Sequence, residues 1–395
     1  MVSLVRLQTW PDSAVRCGPT LAEKVAFLSE PHAYVPRQAG CKVGVASAVV
    51  RHETHMSWVF LLGDRAYKLK KPVRFPYLDF STLTHREIAC RAKLRLNRRL
   101  ACDVYLDVAP LTWSSDGLSL APGGQIVDWL VVMRRLDERT TLEHALLASC
   151  VESWQIDRLA AMLVQFYRLA TPAPVTPLGH LVAWQRSLIV NRHVLLHPKL
   201  GMPAGLVRRI DEVQRRFLVR RGSMLLDRVR SRHIVDGHGD LRPEHIFIGD
   251  PPHIIDCLEF NARLRAVDPF DEMAYLTLEC ERLGNRWAGR TIRRRIAAAL
   301  RDGMSDELFT FYRCYRATLR ARLAIAHLLE RDPRTPDKWP ELAKTYLQLA
   351  FTDALWLEKS LLVKPRAASR RGRRSFLIGE GASLDLQGCF RKLNR

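Results

Sequence analysis

The sequence predicts an α+β fold, with a small antiparallel sheet near the front of the chain and a mainly helical remainder. Three observations carry this. Residues 45–136 read as β-β-β-α-β-β. From Thr141 onward apolar residues recur at helical spacing. Inside that helical part, residues 236–260 (DGHGDLRPEHIFIGDPPHIIDCLEF) hold two β-branched runs across a Gly-Asp-Pro-Pro turn, a hairpin signal. The expected organisation is an N-terminal extension over 1–44, the sheet-bearing part over 45–136, the helical part with its hairpin over 137–363, and a basic tail of low order over 364–395.

The elements follow in order. One helix is expected at 21–28 within an otherwise Pro- and Gly-punctuated extension. Strands are expected at 45–50, 58–62 and 66–70, with Gly63-Asp64-Arg65 as a turn. On the alternating strand 66–70, Lys68 and Lys70 share one face. The connector at 53–57 contains Thr54 and Ser57 and sits where a phosphate-covering loop would lie. It has no glycine, so an ordinary hairpin loop explains it equally well. A helix is expected at 81–100, capped by Ser81 or Thr84, with Glu87 as capping-box partner to Thr84 and Ile88, Leu94 and Leu96 as its apolar side. Strands at 104–111 and 126–133 complete the sheet. Helices are expected at 151–169, 181–196, 206–229, 306–329 and 338–362, and one more starts at Asp268-Pro269, where aspartate caps and proline fits the first turn. On 306–329, Arg313, Arg316 and Arg320 share a face. They favour an anionic substrate if they border a cleft. Solvated arginines opposite a stripe of Leu308, Tyr312, Tyr315, Leu319 and Leu323 are the ordinary alternative.

Composition bounds the function. The chain has 395 residues, 47% hydrophobic and 26% charged, enough for two compact parts. No apolar run approaches the ~20 residues that span a bilayer. The start, MVSLVRLQTWPDSAVR, has no apolar core, so no signal peptide is expected. The nine cysteines are scattered with no C-x-x-C pair, which suits free thiols in a reducing cytoplasm and argues against a disulfide framework or zinc site. The formal net charge is +21. Such a surface attracts polyanions, although outside the tail the basic residues are interspersed with acids. There is no internal repeat and no G-x-x-x-x-G-K-[ST] loop.

The hairpin carries the chemistry. It sets Asp240 just before its first strand and Asp256 at the end of its second, so both carboxylates arrive at one edge. Two converging acids suit divalent-metal and phosphate chemistry, one orienting a nucleophile and the other holding the ion.

A β-rich part, an apolar strand at 126–133, a helical part and then His238-Gly239-Asp240, a hairpin and Asp256 is the order of a protein-kinase-like fold. The blocks ETHMSWVFLLGDRAYKLKKPVRFPYLDFSTL (53–83), LRLNRRLACDVYL (94–106), HGDLRPEHIFI (238–248) and IIDCLEFNARLRAVDPFDEMAYL (254–276) resemble the aminoglycoside-phosphotransferase-like kinases. Within these the chain resembles most a poorly characterised bacterial subgroup, some members of which carry an added P-loop kinase domain that is not expected here. The resemblance implies a bilobal fold with a small antiparallel N-lobe and a mainly helical C-lobe. It implies ATP-dependent phosphoryl transfer to a hydroxyl, with Mg²⁺ or Mn²⁺. On that basis Asp240 orients the hydroxyl and accepts its proton, and His238 braces its loop. Asp256 holds the metal, and Lys68 the α- and β-phosphates. Met133, Arg134, Arg135 and Leu136 form the adenine hinge, Thr54 and Ser57 the covering loop, and Asp271 is structural. Two positions depart from the family pattern. His245 stands where an asparagine donates an oxygen to metal, leaving one metal, Glu259 or water to compensate. Lys93 stands where a glutamate pairs with the strand lysine.

Three functions follow. The first is a small-molecule kinase whose acceptor is not an aminoglycoside, since a +21 chain without an acidic run is a poor cradle for polycations. The second, motivated by Lys93 and His245, is a pseudokinase or nucleotide-binding module without turnover. The third, motivated by charge and the arginine-rich tail, is a nucleic-acid-associated protein, and nucleic acid is the less favoured partner. No membrane partner is expected.

Overall fold

The computed structural model describes residues 18–34, 48–330 and 335–362. The basic tail, most of the 1–44 extension and the start of the strand expected at 45–50 lie outside the described residues. The chain divides into two compact units. One comprises the described residues up to Ala170 together with Asp236–Ala266. The other comprises Thr171–Val235 together with the described residues from Val267 on. This division differs from the sequence boundary at 136/137. It groups the hairpin and the first helices after the sheet with the sheet itself.

The first unit opens with helix α1 (Leu21–Leu28), closed at its start by a capping box between Thr20 and Glu23. Its six-stranded antiparallel sheet runs in the order β1 (Val50–Glu53), β2 (Ser57–Leu62), β3 (Arg65–Lys70), β8 (Gln125–Arg134), β6 (Tyr105–Ser114), β7 (Gly117–Ser119). A short pair, β4 (Arg74–Phe75) and β5 (Leu78–Asp79), stands apart from it. Strand β3 lies between β2 and β8, with Lys68 opposite Val59 on one side and Val131 on the other. Phe60, Leu69, Leu111 and Leu130 form an apolar layer with Val25 and Leu28 of α1.

Two expectations are corrected here. Among the described residues the first strand is β1 at Val50–Glu53, with Ala48 and Val49 outside it, because the turn sets the register. Thr54 N–H donates to Ser57 O at 2.8 Å, and the Thr54 hydroxyl accepts from Ser57 N–H at 3.0 Å. The chain therefore reverses at 54–57, and the residues just before it must pair with β2. The helix expected at 81–100 is α2 (Leu83–Asn97), capped by Thr82, whose hydroxyl accepts from His85 N–H at 3.1 Å. Ser81 instead donates to Asp79, and Glu87 pairs with Arg91 at 2.8 Å rather than closing a capping box. Ile88 is 61% exposed. The buried face of α2 is Arg86, Ala89, Cys90, Lys93, Leu96 and Asn97. Half of that face is polar, Arg86, Lys93 and Asn97, and apolar periodicity does not detect those positions. Arg86 is satisfied there by Asp128 at 2.7 Å.

Helices α3 (Leu142–Leu147) and α4 (Ser153–Leu169) complete this unit, with the single turn α7 (Ala262–Arg265). They hold the hairpin in place. Thr141 bridges Phe247, Ile248 N–H donates to Thr140 O at 3.0 Å, and Gln155 donates to Ile248 O.

The second unit is helical: α5 (Pro177–Leu195), α6 (Ala204–Arg230), α8 (Pro269–Arg282), α9 (Arg286–Leu300), α10 (Asp306–Ala326) and α11 (Lys338–Leu362). Asp268 caps α8 and also takes a bidentate pair from Arg228 at 2.6 and 2.9 Å. The helix expected at 306–329 stops at Ala326 and tightens into a 3₁₀ turn, His327–Leu329. Helix α9 was not anticipated, because its arginines mask an Ala288, Ile292, Ile296 stripe.

The arginine face of α10 is neither solvated nor free. Arg313 pairs with Glu281 and Asp353. Arg316 is buried in a bidentate pair with Asp271 at 2.7 and 2.6 Å. Arg320 lies 3.4 Å from Glu279. These are internal ion pairs, and Leu323 of the expected core stripe is itself 42% exposed. The six described cysteines are free. Among the described residues no helix is long and apolar enough to cross a membrane.

Candidate active site

All the site residues expected from sequence lie in the first unit. The hairpin forms as expected, pairing Ile246 with Ile254 and Phe247 with His253. His238 is fully buried ahead of it. Its Nδ1 accepts from Asp240 N–H at 3.2 Å, so Nε2 carries the proton and donates to Ile255 O at 2.9 Å. One ring thus ties the Asp240 turn to the strand that leads into Asp256. Burial first, then the nearby His245, pushes the His238 pKa down to about 3, so the ring is a neutral brace. Gly239 has φ +88°, and a Cβ there would meet Leu258, Leu264 O and Arg265 at 3.0–3.2 Å. Only glycine fits that position.

Asp240 is paired with Arg242 at 3.0 Å, and Arg242 also reaches Glu244. Sequence reasoning missed Arg242. The signal was a basic residue two positions after the aspartate, close enough to turn back on it. His245 lies between the two acids, 3.8 Å from an oxygen of each. Its Nδ1 donates to Asp240 O at 3.0 Å, and its Nε2 accepts from Arg242 at 3.2 Å. Both ring nitrogens are engaged, so His245 orients the hairpin edge rather than presenting a free ligand.

Asp256 has φ +65°. Aspartate is among the few non-glycine residues that tolerate this left-handed region. Its N–H donates to the Tyr105 hydroxyl at 3.2 Å. Two lysines share its Oδ1: Lys68 at 3.0 Å and Lys93 at 2.5 Å. Lys93 also contacts Glu259 at 3.2 Å, and Lys70 pairs with the other oxygen of Glu259. The alternation of β3 sends Lys68 and Lys70 to the same side, and the buried face of α2 delivers Lys93. Lys68 therefore finds its partner in Asp256, and Lys93 finds two acids in place of a missing one.

Burial lowers the Lys68 pKa, opposed by Asp256. Burial also works against charge on Lys93, but Asp256 and Glu259 outweigh it and raise its pKa. The same balance holds the acids ionised. Burial raises both, yet Lys68 and Lys93 bring Asp256 well below its ordinary value, and Lys70 and Lys93 bring Glu259 to about 2. Three lysines against two carboxylates leave the cluster formally at +1.

A cavity of about 940 Å³ opens beside it. Lys68, Asp256, His245, Thr54, Met133, Arg134, Arg135 and Leu136 all lie on its walls. Ser57 is buried at the start of β2 and is not on the wall. His238 and Asp240 are not on its walls; Asp240 contacts His245, which is. Among the described residues no three His, Cys, Asp or Glu side chains cluster to hold a metal. Asp256 is on the cavity wall, and its Oδ2, 3.8 Å from His245 Nε2, makes no hydrogen bond among the described residues. That fits an Mg²⁺ ion completed by phosphate oxygens and water, not an all-protein metal cage.

No protein-family model matches the chain. The chain is 33% identical over 289 residues to uncharacterised proteins of Mycobacterium tuberculosis (strain H37Rv) and Mycobacterium bovis. The match covers 71% of this chain and 55% of each relative, so the chain spans about half the length of the curated relatives it matches. Its neighbours among solved structures are choline/ethanolamine kinase and aminoglycoside phosphotransferase proteins. One is a choline/ethanolamine kinase family protein from Mesorhizobium loti (TM-score 0.49, 16% identity, covering 87% of this chain and 95% of that one). Another is a thermostable mutant of the aminoglycoside phosphotransferase APH(4)-Ia (TM-score 0.46, 13% identity, 80% and 96%).

Proposed function

We propose that the chain binds ATP with a divalent ion in the cavity of the first unit and transfers the γ-phosphoryl group to a hydroxyl of a small molecule. The observation that carries this reading is the joint placement of Lys68, Asp256 and His245 on one cavity wall, with residues 133–136 on the same cavity and Asp240 behind His245. A net-positive cluster beside the one Asp256 oxygen that makes no hydrogen bond among the described residues suits a polyphosphate–metal pair. In this reading Lys68 holds phosphate oxygens, Asp256 Oδ2 the ion, and Met133 to Leu136 the base. Asp240 orients the acceptor hydroxyl and takes its proton, while His238 and His245 position the two acids. Magnesium, when bound, neutralises charge on the phosphates. The acceptor is not an aminoglycoside, and efficient phosphorylation of one would refute that part.

The test has two arms. ATP with Mg²⁺ or Mn²⁺ raises the melting temperature, and Asp256→Asn, which keeps the left-handed backbone tolerable, removes the rise. A screen of metabolite pools for ATP-dependent phosphorylation then finds product that Asp240→Asn does not make. The absence of a shift with every nucleotide and metal sinks the reading. One observation favours binding without turnover: both Lys68 and Lys93 sit on Asp256 Oδ1. A nucleotide-dependent shift with no product and no ADP release would select that alternative.

A further inference from the structure

Lys93 is buried on α2, its side chain 4% exposed, and its ammonium has three oxygen partners. These are Asp256 Oδ1 at 2.5 Å, Cys257 O at 3.1 Å and Glu259 Oε2 at 3.2 Å. Other contacts hold each partner independently. Asn97, one turn along α2, accepts from Cys257 N–H at 2.8 Å and donates to Lys93 O at 2.8 Å. The Tyr105 hydroxyl receives the Asp256 N–H, and Lys70 takes the second oxygen of Glu259. Two carboxylates, Glu259 buried and Asp256 36% exposed, and a carbonyl are the donor set a hard cation seeks. Here a tethered ammonium fills it. On the other flank of Asp256, both nitrogens of His245 are engaged.

We propose that the Lys93 ammonium is a built-in cation that stands in for one of two metal ions, so that the site takes a single divalent ion, on Asp256 Oδ2. The single ion rests on the phosphotransfer reading above. The occupation of the Asp256, Cys257 and Glu259 oxygens by Lys93 does not. In phosphoryl transfer the metal ions neutralise charge on the β- and γ-phosphates, and a fixed ammonium supplies part of that charge without dissociating.

The experiment counts protein-bound Mn²⁺ on the full chain by equilibrium dialysis, with and without a non-hydrolysable ATP analogue at equal concentration on both sides of the membrane. The wild-type chain takes no Mn²⁺ alone and one per chain with the analogue. Lys93→Ala and Lys93→Ser, checked for folding by circular dichroism, gain one Mn²⁺ per chain without nucleotide, because Cys257 O and Glu259 Oε2 are released and Asp256 Oδ1 keeps only Lys68. Adding Glu259→Gln to Lys93→Ala removes that gain. Two Mn²⁺ ions in the wild-type chain, or no gain in folded Lys93 variants, overturns the proposal. If neither variant folds, the wild-type count decides: one supports it, and two, or any Mn²⁺ without nucleotide, overturns it. If the analogue never binds, the phosphotransfer reading has failed, and the nucleotide-free gain still decides the role of Lys93.

Discussion

Glu259 offers a quantitative test of the lysine–carboxylate cluster. Its side chain is 6% exposed and faces Lys70 and Lys93. Those cations hold its pKa at about 2 against an ordinary 4.5, despite burial. That fall amounts to ~3.4 kcal/mol at about 1.36 kcal/mol per pH unit, so Glu259→Gln is expected to cost about 3 kcal/mol at pH 7. The sign follows from linkage. The folded-state pKa is depressed, so the contribution is fully present above pH 4.5 and is lost as pH falls towards 2. The gap between wild type and Glu259→Gln therefore narrows by about 0.8 kcal/mol at pH 4 and about 2 kcal/mol at pH 3. Urea unfolding midpoints of both proteins across this range measure it. A difference below about 1 kcal/mol at pH 7, or one that does not change with pH, would refute the claim that the lysines hold Glu259 ionised.

Three further outcomes are expected. His238 is buried with its pKa near 3 against an ordinary 6.5, so the unfolded chain binds the extra proton below pH 6.5. Relative to His238→Gln, the wild-type chain should lose about 1.2 kcal/mol per pH unit between pH 6 and 4.5, and parallel urea curves for the two proteins would contradict this. Arg316→Met leaves Asp271 buried without its bidentate partner and is expected to cost about 3–5 kcal/mol in urea unfolding, a loss that Asp271→Leu in the same chain should largely restore. Asp240→Asn should retain the nucleotide-induced rise in melting temperature while turnover falls by about 10²–10⁴-fold, and loss of nucleotide binding itself would remove Asp240 from its proton-accepting role.

The sequence by itself determined the alternation of β3, the hairpin at 246–254 and the two aspartates at its ends, because each depends on neighbours a few residues away. Period two sends Lys68 and Lys70 to one side, and a Gly/Pro turn folds the chain back wherever it occurs. The same local logic reached the Asp268 cap and the α11 boundaries. Helix α2 was legible as a helix, but its inward face was not. Apolar periodicity nominates Ile88, whereas the fold buries Arg86, Lys93 and Asn97, whose partners Asp128, Asp256 and Cys257 lie 42 to 163 residues away. The arginines of α10 were misjudged for the same reason, since a charged residue looks solvated until its acid is brought to it. Tertiary structure alone decided that Lys93 confronts Asp256 and Glu259. It also decided that His245 spends both its nitrogens on Asp240 and Arg242, and that one oxygen of Asp256 is left without a hydrogen bond. Charge pairing between buried groups acts over a few ångströms in space. Chain separation carries no information about it, and only the packed fold brings the charges within that range.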